Sequence, residues 1–398
     1  METKVKETLM VDKTNWTPVK FGEVVFEPKE NAKDIFNEGI EHVVGLEHID
    51  SENIHLTRSG NLEETTTFSK KFKKGDVLFG RRRAYLKKAA LASFDGICSG
   101  DITVFRSKKN LLPELLPFIV NNEKFFDYAI KHSAGGLSPR VKFKDLANYE
   151  FLLPPKDQQA QLAELLWALD EVIERERVSF DKYELFNKRY LFDSVSGSNS
   201  KNIKDWKEYV FGSLGETFGG LNGKSKKDFG EGSPFINYMN VFKNSRIDPN
   251  QVDYVQINKG EKQHEIKYGD IILTGSSETP DELGMSSVVL DELNGYYLNS
   301  FCFGFRLNDF KTLLPEYARF LMRGNEVRSF MFKHAQGSTR FNLSKTTVKE
   351  KLKVLLPSSE EQKAISERLE FIEDQLDNYR LKISSSQALL KSLINQVF

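Results

Sequence analysis

The chain carries most of its short motifs twice, and this repetition limits what it can fold into more than any other feature. Trp16, Phe21 and Gly22 recur as Trp206, Phe211 and Gly212, an offset of 190. Lys74-Gly75-Asp76 recurs as Tyr268-Gly269-Asp270 at 194, and Phe105-Arg106 as Phe305-Arg306 at 200. Leu111-Leu112-Pro113-Glu114 and Lys131-His132 return at 202 as Leu313-Leu314-Pro315-Glu316 and Lys333-His334. Leu153-Pro154 and Gln159 return at 203 as Leu356-Pro357 and Gln362. The order is kept while the offset drifts upward, which chance dipeptides do not do. Two copies of one unit follow, and 398 residues also favour two cores over one.

Each copy has the same plan. Short strand-like runs such as Val77-Leu78-Phe79 and Ile271-Ile272-Leu273 sit between Gly and Asn turns. A helical segment follows at 115–132 and 317–334, then a Gly-rich turn and a strand ending in Leu-Pro. A long helix closes each copy. The expected fold is α/β (α+β), with globular domains at 1–155 and 206–357, helices at 156–195 and 358–398, and a linker at 196–205. Ser359 with Gln362 is expected to form a capping box on the second helix, and Asp157 to cap the first.

Apolar residues in the long helices follow a 4-3 alternation. In the second they are Ile365, Leu369, Ile372, Leu376, Tyr379, Ile383, Leu390, Leu393 and Val397, with Ser386 on the same seam. The first helix carries Leu162, Leu166, Leu169, Ile173, Phe180, Tyr183 and Tyr190, interrupted by Glu176 and Asn187. A seven-residue repeat held this long predicts a coiled coil, and its polar members are of the kind that fix register. The seam needs a partner. The two helices of one chain, lying antiparallel, are the economical choice; a coiled coil between two copies of the chain is the other.

Lys and Arg total 57 and Asp and Glu total 57, so the chain is not a uniformly basic polymer binder. Only local clusters of charge can carry such a role. No apolar run reaches membrane-spanning length, and Met1-Glu2-Thr3-Lys4 lacks a signal-peptide core. Cys98 and Cys302 lie in apolar, strand-like contexts and are expected to be buried free thiols, which fits a cytoplasmic protein. No Walker A loop occurs, and no Asn/Asp-Pro-Pro-aromatic motif of an adenine methyltransferase: Pro154-Pro155 follows Leu153. The six histidines show no zinc spacing with the cysteines. His132 and His334 stand at helix ends, where they suit capping. Pro280-Asp281 with Asp309-Phe310-Lys311 echoes a nuclease metal site but has no counterpart in the other copy, and is read as turn residues.

Taken in order, Leu152-Leu153-Pro154-Pro155 with Gln158-Gln159, and Leu355-Leu356-Pro357 with Glu361-Gln362, each followed by a long helix, resemble the specificity subunits of type I restriction–modification enzymes. The stretches Gly80 to Lys88 with Asp95 to Asp101, and Gly284 to Ser287 with Leu298 to Arg306, also resemble recognition domains of that family. The resemblance covers almost the whole chain. It implies two pseudo-symmetric target recognition domains separated by two long antiparallel coiled-coil helices, each domain reading half of a bipartite double-stranded DNA site. It implies no catalytic or metal site in this chain. Two methyltransferase (modification) subunits would bring S-adenosylmethionine, and two restriction/translocase subunits ATP and Mg; no membrane is involved. About 36 residues at ~1.5 Å each make a rod of roughly 50 Å, against ~34 Å per duplex turn, which suits a split target. Two other readings stay open: the specificity subunit of a type IIB-like enzyme, and a scaffold that binds protein ligands.

Candidate DNA-contacting residues follow from charge and placement. Lys70 to Lys88 is the densest basic stretch, with Lys73, Lys74, Arg81, Arg82, Arg83 and Lys87 beside Tyr85, against Asp76 alone. An arginine after the strand can grip guanine with two hydrogen bonds; a solvated, lysine-rich edge strand is the other explanation. The matching place in the second copy holds Thr274, Ser276 and Ser277. The Gly turns add Arg140 and Lys142 in the first copy, and Ser338, Thr339, Arg340 and Asn342 in the second. Both turns hold an arginine, able to reach DNA or to pair with a surface carboxylate.

Overall fold

The computed structural model describes residues 12–62, 67–198, 200 and 203–398. Residues 1–11 and 63–66 of the first expected domain, and Asn199, Lys201 and Asn202 of the expected linker, lie outside them. Two units are present: Met1–Val178 with Arg380–Phe398, and Ser179–Tyr379. Each contains a globular part and one end of each long helix, Lys156–Ser196 and Ser359–Val397. No helix among the described residues is long and apolar enough to cross a membrane.

The two globular parts share one scaffold. In unit 1 an antiparallel sheet runs in the order Val25–Phe26, Ile102–Ser107, Val77–Gly80, Ala89–Leu91. Unit 2 repeats it as Gly215–Gly219, Cys302–Leu307, Ile271–Thr274, Ser286–Val288. The central strands are buried along their whole length. Alternation of side chains explains why: Val77 and Phe79 enter the main core while Leu78 enters a second core on the other face. Ile271 and Leu273, with Ile272 opposite, do the same in unit 2.

A smaller three-stranded sheet differs between the units. Both have a parallel pair, Val43–Val44 with Gly96–Cys98 and the end of Phe229–Ile236 with Tyr297–Leu298. The third strand, Lys70–Phe72, joins Gly96–Cys98 in unit 1, whereas Val252–Val255 joins Phe229–Ile236 in unit 2. The expected single helices are broken: Asn122 caps a new helix Glu123–Lys131, and Gly324 precedes Asn325–Lys333. His132 and His334 each place Nδ1 against a carbonyl of the preceding turn, Tyr128 O at 2.8 Å and Phe330 O at 2.9 Å. Cys98 and Cys302 are buried free thiols, and burial pushes both up to about 12.

The repeated motifs are the joints of this scaffold. Arg106 donates two hydrogen bonds to the buried Asp76 carboxylate, at 2.6 and 2.7 Å. Arg306 does the same to Asp270, at 2.8 and 2.7 Å. Gln159, 1% exposed, accepts from Leu112 N and donates to the carbonyls of Asn110 and Pro154. Gln362, fully buried, accepts from Leu314 N and donates to those of Thr312 and Pro357. One amide thereby ties the Leu-Leu-Pro loop and the Leu-Pro strand end to the first turn of each long helix. The Trp16 and Trp206 indoles donate nearby, to Gln158 and Glu361.

This corrects the expected caps. Ser358, not Ser359, stands before the second helix, and its Oγ accepts from Glu361 N at 3.2 Å. Gln362 is committed to the clamp and does not reach back. The first helix begins at Lys156, which places Asp157 inside its first turn, where an acid suits the helix dipole.

The seam forms within the chain. In unit 1, Leu162, Leu166 and Ile173 share one core with Leu390, Leu393 and Val397, and Leu169 packs at its edge. Ser386 Oγ donates to Glu176 Oε2 at 3.1 Å, joining two of the three polar seam residues. In unit 2, Ile365, Leu369, Ile372 and Leu376 are buried. There the Tyr183 and Tyr379 rings lie 5.3 Å apart, and Arg368 donates to Tyr190, so the helices run antiparallel. Phe180 and Ile383 are half-buried, and Tyr183 is 38% exposed, the most open position of the seam.

Two outcomes are expected. Leu369→Ala and Gln362→Leu should each lower stability in denaturant titration, by about 2–5 kcal/mol for the cavity and about 1–3 kcal/mol for the orphaned Leu314 amide. Leu185→Ala, at a position 71% exposed, should stay within about 0.5 kcal/mol. The second concerns His55, whose Nε2 lies 2.7 Å from the buried Asp170 carboxylate on the first long helix. That hydrogen bond raises the imidazole above its ordinary value against the effect of burial. Stability from this pair is therefore full below the unfolded histidine value of about 6.5 and lost as pH rises through the folded value. Thermal melts across neutral to alkaline pH should decline in the wild type, and His55→Gln should remove that part of the slope.

Candidate nucleic-acid interface

In each unit, two segments far apart in sequence are stitched into one edge. Arg81 N donates to Asp101 O at 3.0 Å, Val141 N to Arg81 O at 3.0 Å, and Arg83 N to Pro139 O at 2.8 Å. In unit 2, Gly275 N donates to Phe301 O at 2.8 Å and Leu343 N to Gly275 O at 3.0 Å. Ser276 and Ser277 pair there with Asn342 and Phe341. The loop after the central strand thus lies beside the Gly turn both times. Each turn is closed by a reciprocal backbone pair, Ala134 with Arg140 and Gln336 with Asn342. Gly337 holds φ +132°, and a Cβ there would sit 2.1 Å from Arg340 O, so only glycine fits.

Side chains anchor the two turns by different chemistry at equivalent places. In unit 1, Asp101 accepts from Arg140 Nε at 2.7 Å and Arg82 Nη1 at 3.1 Å, and Arg82 Nη2 donates to Ser138 at 3.0 Å. Partial burial pushes the Asp101 carboxyl up, but the hydrogen bonds from Arg140 and Arg82 outweigh it and hold the group below its ordinary range. In unit 2 the matching residue is Phe301, 49% exposed, and the Arg340 guanidinium stacks over its ring at 4.8 Å. Arg83 is exposed and holds φ +53°, with Lys87 at +49°, flanking the short turn Ala84–Leu86. Left-handed backbone at side-chain-bearing residues is costly and concentrates at functional sites.

The expected site residues divide accordingly. Arg81, Arg82, Arg83, Arg140 and Lys142 come together in unit 1, with Tyr85 exposed beside them. Ser338, Thr339, Arg340 and Asn342 form the exposed turn of unit 2. Lys73 and Lys74 are exposed but lie before strand Val77–Gly80, at the opposite end from Arg81. The single basic patch does not exist. Lys70 pairs with Glu27, Lys71 with Glu38, and Lys87 with Glu52 and Glu123, while Lys88 donates to Leu46 O. Thr274, Ser276 and Ser277 are a further correction: all three are buried, and Thr274 and Ser277 bond to Glu282 and Tyr238 rather than facing out. The paired arginines of the turns are also not positional equivalents. Arg140 matches Asn342 in the closing pair, and Arg340 stands two residues earlier.

The type I restriction modification DNA specificity domain matches residues 14–179 and again 203–384. The chain belongs to this family. Its double match reproduces the duplication. The EcoDI specificity subunit of Escherichia coli is 30% identical over 119 residues, 29% of this chain and 26% of that subunit. The EcoKI specificity subunit of Escherichia coli strain K12 is 21% identical over 321 residues, 77% of this chain and 67% of that subunit. A chain from a solved type I R-M system has the same fold, with TM-score 0.60 over 96% of both chains at 20% identity.

Asp101 and Phe301 escaped the sequence reading, although the offset of 200 that joins Phe105-Arg106 to Phe305-Arg306 also joins them. Among the described residues, His55, Asp170 and Glu174 bring ligand atoms within 4.8 Å of one another. They are engaged already: His55 with Asp170, and Glu174 with Arg177 at 2.9 Å. If Asp101 anchors the first turn, Asp101→Asn should speed amide exchange at Ala134 and Arg140, the two amides that close it, while changing global stability by no more than about 1 kcal/mol. Unchanged exchange, read by mass spectrometry, would show that the backbone pair holds the turn unaided.

Proposed function

We propose that this chain is the DNA-reading subunit of a type I restriction–modification complex, each unit reading one half of a bipartite duplex site. The supporting observation is the stitched edge. In each unit two separate segments are stitched into one edge beside the central strand, with exposed side chains from both segments in unit 1 and chiefly from the Gly turn in unit 2, and the backbone frame is kept while the side chains differ. That is what two readers of different half-sequences require. Phosphate contacts set register, and side chains at base edges set sequence. Arg83, Arg140 and Lys142 are suited to the first half-site, and Arg340, Ser338, Thr339 and Asn342 to the second.

In this reading the chain does no chemistry. Two methyltransferase subunits dock on it and supply S-adenosylmethionine, and two restriction subunits supply ATP-driven translocation and cleavage. The long helices set the distance between half-sites. The experiment is binding of the chain with its methyltransferase partner to duplex DNA over a salt series, with genome-wide mapping of methyladenine. Arg140→Ala and Arg340→Ala should each reduce the log–log salt slope by about 0.9 where the lost contact is to a phosphate. In the map, Arg140→Ala should relax one half of the modified sequence and Arg340→Ala the other. Binding indifferent to salt, or variants that disturb both halves alike, would sink the reading.

A further inference from the structure

Leu137 is 97% exposed, more than any other large apolar side chain among the described residues. It stands at the tip of Gly135-Gly136-Leu137-Ser138-Pro139, between the reciprocal pair Ala134 and Arg140. The stem below it is fixed on every side. Ser138 Oγ accepts from Arg82 at 3.0 Å, Pro139 O from Arg83 N at 2.8 Å, and Arg140 donates to Asp101 at 2.7 Å. Gly135 and Gly136 have no side chain to hold the tip away from a surface. A leucine exposed over nearly its whole surface at the tip of an anchored stem is positioned to be buried by something that arrives.

The neighbours say what arrives. Arg83, Arg140 and Lys142 are exposed around the turn, and Tyr85 is 52% exposed close by in sequence to Arg83. An apolar protein partner would have to strip Arg83 and Lys142 of water, whereas a duplex answers these two with phosphates beside the Arg140–Asp101 pair. The apolar surface a duplex offers is its base stack, and proteins that deform DNA push leucine and similar side chains between base steps. At the offset of 202 the second unit has Thr339 in this place, inside the hydroxyl-rich Ser338-Thr339.

We propose that Leu137 is a wedge that enters the base stack of the first half-site and unstacks one step, and that the second unit has no such wedge. This rests on the DNA-reading function proposed above and adds a distortion confined to one half-site. DNA deformed in this way is read partly by how easily a given step opens.

The test uses the full chain with its methyltransferase partner and the duplex found by methyladenine mapping, with 2-aminopurine placed in turn at each step of both half-sites. Away from the adenines that the methyltransferase itself flips out, wild-type complex should raise fluorescence several-fold at one step of the first half-site and at none of the second. Leu137→Ala should abolish that rise and weaken binding about tenfold with an unchanged salt slope, because no charge is lost. Leu137→Met should restore both. An unchanged thermal midpoint shows that each variant is folded. Binding by the wild type with a rise only at the flipped adenines overturns the wedge alone. Loss of assembly with the methyltransferase in the absence of DNA makes Leu137 a protein contact and also overturns it. Failure of the wild-type complex to bind duplex at all removes the DNA-reading function as well.

Discussion

One buried side-chain amide in each unit fixes where the long helix leaves the globular part. Gln159 and Gln362 each satisfy an amide and two carbonyls that would otherwise be stranded inside. An orphaned buried backbone group costs about 1–3 kcal/mol, so the helix start, the Leu-Leu-Pro loop and the Leu-Pro strand end cannot drift apart separately. The Trp indoles, at 2.8 and 3.2 Å from Gln158 and Glu361, pin the opening strand to the same helical turn.

The large-scale plan was legible because it is written in redundancy and period. The repeat gave two copies, and the 4-3 alternation marked the buried face of both helices down to the Glu176 and Ser386 contact. The motifs themselves proved to be joints: Lys-Gly-Asp and Phe-Arg are the two halves of one ion pair, invisible until the sheet brings Asp76 beside Arg106. What stayed hidden depends on partners remote in sequence. Nothing local says that Lys70 meets Glu27, that Lys87 meets Glu52 and Glu123, or that Thr274, Ser276 and Ser277 turn inward. The cap at Ser358 was misplaced by one residue, a step that local pattern resolves poorly.

The zero net charge acquires a meaning here. Much of the basic complement is spent internally, on Asp76, Asp270, Glu27 and Asp101 among others. These pairs fix strand ends and turns, not solubility. The arginines among them are held in set directions by their carboxylate partners.

Asp101 sharpens that point. A carboxylate held ionised within 2.7–3.1 Å of Arg140 and Arg82 repels a phosphate brought to the same place. The edge of the first unit is therefore ill suited to gripping a polyanion by charge alone, and its arginines stay oriented rather than free. In the second unit Phe301 orients Arg340 through its ring face, adding no negative charge. The same backbone frame thus carries one edge whose guanidinium groups are partly neutralised and another whose guanidinium keeps its full charge. The two edges therefore differ in how they balance charge against orientation, and under the proposed function a substitution at position 101 or 301 would act on selectivity through the arginine it holds.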